Sequence, residues 1–290
     1  MIHGQLLENE PMAHYTSFHV GGPARVYIPH DLQDLLQFLP QIPSIEPIYF
    51  LGLGSNTLVR DGGLKGTVII TKNNLKQIDL LDSNTVRVEV GVPCPMFARY
   101  CARNHLEGTE FLIGIPGTIG GALTMNAGCH GGETWNFVEA VETIDRQGVQ
   151  RIRYPDDYQI AYRHVIGPKN EYYVAAHFRP RKGEQTKALE KIRTLLQKRV
   201  QAQPLNAPSC GSVFRNPPNE YAARLIEQCG LKGKRVGDAS VSLKHANFII
   251  NHGHARASDI ETLIEHIQTT VLDQHQIQLI PEVHIIGTAE

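Results

Sequence analysis

Residues 114–132 read GIPGTIGGALTMNAGCHGG, and seven of these nineteen residues are glycine, with no lysine, arginine or acid among them. Backbone this bare does one of two things. It turns sharply several times, or it lets something approach its peptide N–H groups. A second stretch, GLGSNTLVRDGG at 52–63, has the same texture. Convergent N–H groups form a concave nest that neutralises an anion without a lysine. The hydroxyls of Ser55, Thr57 and Thr118 and the amide of Asn56 add donors, and pyrophosphate is the anion that best suits two such loops. Neither stretch is a P-loop, because no G-x-x-x-x-G-K-[ST] is present, and GLGSNT lacks the third glycine of a dinucleotide fingerprint. Either loop alone reads equally well as tight turns needing positive φ. The pair, with hydroxyl-rich flanks and little charge, points to a bound dinucleotide.

The rest of the chain reads as three lobes, as its 290 residues allow. Strands at 25–29, 47–52 and 66–71 and a helix at 31–39, capped by Asp31, form a small α/β lobe over 1–72. From 73 the chain is richer in strands. TVRVEVGVP (85–93) alternates, with Val86, Val88, Val90 and Val92 on one face. A helix at 95–106 and strands at 137–145, 149–154 and 172–180 follow. A helix over 186–201 carries Leu189, Ile192, Leu195, Leu196 and Val200 on one face. QPLNAPSCG (203–211) reads as a linker. The third lobe, 203–290, holds a helix at 220–230 capped by Asn219 and stopped by Gly230. It also holds a strand at 247–251, a helix with a Ser258/Glu261 capping box, and a last strand at 282–287.

Composition excludes more than it selects. A net charge of −1 argues against a general nucleic-acid binder. No apolar run nears the roughly 20 residues that span a bilayer, and the N-terminus lacks the basic-then-apolar pattern of a signal peptide. The expected location is the cytoplasm. Five cysteines without a C-x-x-C pair suit reduced thiols. Fourteen histidines include no H-x-x-x-H or H-E-x-x-H spacing, so no metal site is expected.

TSFHVGGPA, LGLGSNTLVRDGG, GIPGTIGGALTMNAG, GSVFRNP and KHANFIIN occur in this order along the chain. In this the sequence resembles the UDP-N-acetylenolpyruvoylglucosamine reductase (MurB) family over about residues 14–287. GSVFRNP joined to KHANFIIN is specific to that family. The glycine-rich loops are shared more loosely with flavoproteins of the vanillyl-alcohol-oxidase type. The resemblance implies an α+β, three-lobe flavoprotein. Lobes 1–72 and 73–202 would hold FAD, with the last C-terminal residues packing on the first, and 203–290 would be an α/β substrate lobe. NADPH would reduce the FAD, and hydride would pass to the enolpyruvyl ether of a UDP-sugar in a monomeric enzyme that binds neither nucleic acid nor membrane. Between Arg163 and Ser212 the sequence reads as only a strand, a helix and the QPLNAPS linker, so the chain resembles the shorter subclass, which lacks an inserted tyrosine-bearing segment.

Hydride addition to C3 of an enolpyruvyl group builds negative charge at C2 and the carboxylate, so the charge needs a partner and C2 needs a proton. By the resemblance, Ser212 gives the proton, Arg163 grips the carboxylate with its planar fork, and Glu282 hydrogen-bonds the developing enolic acid. Gly52, Gly54, Ser55, Asn56 and Thr57 would meet the FAD pyrophosphate or its flanks, with Gly117, Thr118, Gly120 and Gly121 approaching from the second lobe. Arg215, Asn216, Lys244, His245 and Asn247 would bind substrate. Two positions depart from the family pattern. Cys129-His130 stands where A-Y is common, and His284 stands where arginine is common. A substrate-facing His284 would make binding depend on pH. Two rivals are a flavin oxidase for another substrate, which GSVFRNP disfavours, and a non-catalytic nucleotide-binding module, which Arg163, Ser212 and Glu282 together disfavour.

Overall fold

The computed structural model describes residues 2–290 and divides into two compact units. The first comprises Val26–Gly52, Gly66–Arg199 and the N-terminal piece ending at Leu7. The second comprises Glu8–Arg25, Leu53–Lys65 and Val200–Glu290.

A four-stranded sheet takes its strands in the order Gln5–Pro11, Pro23–Ile28, Thr67–Ile70, Ile48–Leu51, of which residues 5–7, 26–28 and the last two strands belong to the first unit. Helix α1 (Leu32–Phe38) follows Asp31, whose carboxylate accepts the Asp34 N–H at 2.8 Å, the cap expected from the sequence. A five-stranded antiparallel sheet runs Gln150–Arg153, Val138–Asp145, Glu171–Phe178, Val86–Glu89, Ile78–Leu80. The alternating valines behave as their period demands: Val86, Val88, Val90 and Val92 are all buried. They pack in one apolar core with α2 (Cys94–Arg103), which buries Phe97, Ala98 and Cys101. The short helix α3 (Ile119–Thr124) starts inside the glycine-rich stretch. Helix α4 (Gln185–Ala202) buries Ala188, Ile192 and Leu195 against the same core, while Val200 is exposed where the helix runs past it.

The second unit has its own core. Strands Arg235–Val236, Ala239–Val241 and Ile249–Asn251 form an antiparallel sheet. Strand Thr57–Val59 pairs in parallel with His284–Ile286. Helix α5 (Ala222–Gln228) precedes Gly230, which turns the chain at φ +69°. Helix α6 (Ala257–His275) buries Ile260, Leu263, Ile264, Ile267 and Val271, the face its period indicates. None of the described helices is long and apolar enough to cross a membrane.

Two helix starts differ from expectation. Ser258 does not cap α6, because the helix begins one residue earlier and places Ser258 inside its first turn. Its free N–H groups go instead to Asp61, whose two carboxylate oxygens accept from Ala257 and Ser258 at 2.9 Å each. Glu261, the expected partner of Ser258, is held by the Arg60 guanidinium at 2.6–3.2 Å. At α5 the Ala222 N–H bonds Asn216 Oδ1 at 3.1 Å. Asn219 lies short of the helix in a left-handed turn, φ +62°. In both cases the acceptor comes from a place that local spacing does not reveal.

Candidate active site

In the first unit the two ends of the glycine logic meet at Gly52 and Thr118. Gly52 ends the strand Ile48–Leu51, and Thr118 is the N-cap residue of α3. The Thr118 hydroxyl makes no cap bond, and its Oγ1 is buried with no partner in the protein. Thr118 is only 1% exposed. An orphaned buried hydroxyl costs free energy unless something outside the fold satisfies it. A Cβ at Gly52 would run into that oxygen, and at Gly121 it would meet nothing within 4 Å. Gly120 packs against Val90, and the Gly117 carbonyl accepts the Cys94 N–H.

A cavity of 330 Å³ opens beside this cradle, at the small end of the range that small-molecule sites occupy. Gly52, Thr71, Val90, Gly120 and Thr124 line one part of it, and Phe50, Tyr158, Val165, Tyr172 and Tyr173 another. Phe50 stacks on Tyr172 with ring centroids 4.5 Å apart. Burial pushes the Tyr158 phenol up to about 12, and Tyr173 is raised as well, so both keep their protons. Bare backbone, hydroxyls and flat apolar walls suit a planar ring joined to a sugar phosphate.

Arg163 sits at the tip of a hairpin between strands Gln159–Ala161 and His164–Ile166. Its φ is +55°, a conformation that favours glycine. Nη2 of Arg163 donates to the Gly128 carbonyl at 2.7 Å, and the guanidinium carbon lies 5.0 Å from the Tyr162 ring centre. Asn126 ties this hairpin to the glycine-rich stretch. Its buried amide donates to Glu133 Oε2 and to the Ala161 carbonyl, and its Oδ1 accepts the Trp135 N–H. His130 and Gly131 form the two-residue tip of a neighbouring hairpin, both at positive φ. The Cys129 thiol donates to the Phe111 carbonyl, and burial pushes it up to about 11.

The second unit pairs the backbone segments that carry Ser212 and Glu282. Ser212 follows Gly211, which turns at φ +80° with open space where a Cβ would stand. The next carbonyl, Val213 O, accepts from the Glu282 N–H at 2.7 Å and from the Val283 N–H at 3.3 Å. Phe214 bridges to Pro281, and the Arg215 N–H bonds Ile280 O. Asn247, 3% exposed, spends its side-chain amide on one backbone unit: Oδ1 accepts the Phe214 N–H at 2.9 Å and Nδ2 donates to Phe214 O at 2.8 Å. Cys210 is fully enclosed. Burial, with the Glu282 charge near it, drives its thiol far above the usual range.

The remaining predicted residues divide by their contacts. Arg215 has a buried Nε without a partner in the protein, as does Nδ1 of His245, whose ring meets Phe248 edge-on at 4.8 Å. Lys244 Nζ donates to Val200 O at 2.6 Å. Asn216 caps α5. Gly54 is buried at φ +58°, and a Cβ there would strike the Tyr15 carbonyl, so its bareness is required by the TSFHVGG segment. Ser55 and Thr57 are half-buried beside it. His284 pairs with Thr57 in the parallel ladder, and desolvation together with Arg215 holds its imidazole below the ordinary histidine value.

Comparison with known proteins follows these two regions. A profile described as "FAD binding domain" matches residues 23–152, and one described as "UDP-N-acetylenolpyruvoylglucosamine reductase, C-terminal domain" matches residues 203–286. The chain is 56% identical to a UDP-N-acetylenolpyruvoylglucosamine reductase of Legionella pneumophila, over 99% of this chain and 94% of that one. It belongs to the UDP-N-acetylenolpyruvoylglucosamine reductase family. A relative of the same name from Methylococcus capsulatus is 53% identical over 99% of this chain and 95% of its own. The crystal structure of the Thermus caldophilus reductase superposes with a TM-score of 0.85 at 32% identity, covering 98% of this chain and all of that one. The α+β flavoprotein architecture of the reductase family is therefore that of this chain. Between Arg163 and Ser212 the described residues hold the sheet strand Glu171–Phe178, two shorter strands, α4 and the linker.

The residues present fit the FAD of the reductase family: an orphaned Thr118 hydroxyl, a cradle that a Cβ would fill, and a ring-lined cavity beside it. Sequence reasoning missed the cavity walls. Phe50, Tyr158 and Tyr172 come from three separate strands and turns, and nothing in their local spacing marks them. Only the unusual run of aromatics at 154–173 hints at more than a sheet.

Proposed function

We propose that the chain carries out the reaction for which its family is named. It reduces UDP-N-acetylenolpyruvoylglucosamine to UDP-N-acetylmuramate with NADPH through bound FAD, in the synthesis of peptidoglycan precursors. The observation that carries the reading is the pairing of the Ser212 and Glu282 segments through Val213 O, in the region that matches the reductase C-terminal domain.

Bound FAD, reduced by NADPH, supplies hydride for C3 of the enolpyruvyl group. The protein's part is to hold the charge that this addition creates. The Arg163 fork binds the substrate carboxylate and stabilises it as electron density moves in. Glu282 hydrogen-bonds the enolic acid form of that carboxylate. Ser212 Oγ gives C2 its proton. A serine hydroxyl is a poor acid, so alignment with a strongly basic C2 must supply most of the effect. Gly52, Gly54, Ser55, Thr57, Gly117, Thr118, Gly120 and Gly121 surround the cofactor phosphates, while the Asn56 side chain, expected among them, is spent on the Glu282 carbonyl. Arg215, with its unmatched buried Nε, takes the UDP pyrophosphate, supported by Asn216, Lys244, His245 and Asn247.

We assign 1–72 and 73–202 to the cofactor lobes and 203–290 to the substrate lobe. The enzyme works as a cytoplasmic monomer without nucleic-acid or membrane partners, a reading with which its net charge of −1 and five unpaired cysteines accord.

The test is anaerobic NADPH oxidation by the purified holoprotein with and without the enolpyruvyl UDP-sugar. Sustained oxidation only with the sugar is expected. A flavin that NADPH reduces once and the sugar never reoxidises would leave the cofactor site standing and remove the substrate.

A further inference from the structure

The Glu282 peptide is gripped at both ends. Its N–H donates to Val213 O, next to Ser212, at 2.7 Å. Its carbonyl accepts from Asn56 Nδ2 at 3.0 Å. Asn56 also accepts the His284 N–H on its own carbonyl at 3.0 Å. One residue of the glycine-rich 52–63 loop therefore holds the strand that carries Glu282, from its side chain and its backbone together.

We infer that Asn56 is a positioning residue for Glu282, acting on the oxidative half of the reaction rather than on cofactor affinity. The inference rests on the function proposed above. Asn56 Oδ1 and Nδ2 are distinct in this role. The Glu282 carbonyl needs a donor, and of the two ends of the Asn56 amide only Nδ2 can give one, so the loop fixes that backbone through donation and not through bulk. Two residues that follow the donor, Thr57 pairs with His284 and Leu58 with Ile285, so the ladder begins at this clamp. With the donor lost, the ladder from Thr57 onward keeps its register, while the Glu282 carbonyl loses the contact that Asn56 gives it. The carboxylate then loses its fixed aim at the substrate, and the proton transfer from Ser212 loses its aligned partner. Reduction of flavin by NADPH uses neither group and is untouched.

The test uses the full-length holoprotein with Asn56→Asp and Asn56→Ala. Asn56→Asp keeps the volume and removes the donor, and thermal melts establish that each variant is folded. Three quantities are read: the FAD dissociation constant by flavin fluorescence, the rate of flavin bleaching by NADPH, and the rate of reoxidation by the enolpyruvyl UDP-sugar under anaerobic conditions. Both variants are expected to keep FAD affinity and bleaching within about threefold of the parent and to slow reoxidation by about tenfold or more, with kcat falling more than KM rises. A variant that loses FAD affinity but reoxidises normally at saturating FAD makes Asn56 a cofactor ligand and overturns the inference. Equal slowing of both half-reactions, or parental behaviour of Asn56→Asp, overturns it as well. A parent enzyme that the sugar never reoxidises defeats the functional reading instead, and the two failures are thereby separate.

Discussion

A Cβ built on Gly52 would lie 2.2 Å from the hydroxyl oxygen of Thr118. That contact joins the end of a strand to the N-cap of a short helix. The hydroxyl itself has no partner in the protein. Gly52→Ala should therefore push Thr118 out of the cradle and weaken FAD binding by about tenfold or more, since a Cβ inside this distance forces the neighbour to move. Thr118→Val, which keeps the shape and removes the hydroxyl, should weaken it less, by roughly one hydrogen bond, or about 1 kcal/mol. Flavin fluorescence on reconstituted apoprotein measures both. Equal FAD affinity in Gly52→Ala and parent would remove the cradle from the cofactor site.

Arg163 occupies a left-handed position that glycine fills without strain. Arg163→Gly should relieve about 1 kcal/mol of backbone strain. It gives up a hydrogen bond to Gly128 O and an exposed contact with Tyr162, worth about as much. The melting temperature should then stay within about 2 °C of the parent, while kcat/KM falls by on the order of a thousandfold. A differential scan and a steady-state assay suffice. A large drop in melting temperature would mean that the arginine is part of the scaffold.

His284 bears on pH. Desolvation and Arg215 lower its imidazole from the ordinary histidine value, so it gains its proton further to the acid side than a free histidine does. Affinity for the anionic UDP-sugar should be flat from about pH 7 to 8 and change only as the pH falls below about 6.5, the ordinary histidine value. His284→Arg should tighten binding at pH 7.5 by about tenfold and abolish the acid-side change. Titrations across this range decide it. A parent whose affinity changes mainly above pH 7 contradicts the assignment.

Glu142 reports on the fold of the first unit. Burial alone would raise its carboxyl, but His177 at 2.8 Å and the Arg87 fork at 2.7 and 2.8 Å outweigh that and bring it down to about 2. A carboxylate lowered on folding contributes stability that is present above its unfolded value, near 4.5, and is lost as the pH falls toward 2. Glu142→Gln should lose about 2 kcal/mol at pH 7, discounted for the remaining solvent contact. Its denaturation curve should also lack the parent's fall between those two values. Urea melts at pH 7, 4 and 3 distinguish the two proteins.

What could be read without coordinates follows from where the constraint is local. Gly52 and Gly54 announce themselves because only glycine tolerates their φ or their neighbours. Val86, Val88 and Val90 announce a buried strand because period two does. Asp31 caps α1 from the adjacent position. The helix caps supplied by Asp61 and Asn216 were hidden, because the acceptor stands outside the helix's own turn. The ring-lined cavity was hidden for the same reason, since Phe50 and Tyr172 meet only after two distant strands have packed. Asn56 was visible as a residue of the loop, but the direction of its side chain was not.

Asn56 and Glu282 are 226 residues apart along the chain. The loop that begins at residue 53 is thus locked by a strand synthesised 226 residues after Asn56. During synthesis the strand Thr57–Val59 must wait without its ladder partner while nearly everything between is made, and contacts of such long range form late. A nascent chain interrupted before residue 284 carries both glycine-rich stretches yet lacks the strand that secures the first of them. The arrangement acts as a completeness check: it ties ordering of the Asn56 loop to translation of the strand that carries Glu282.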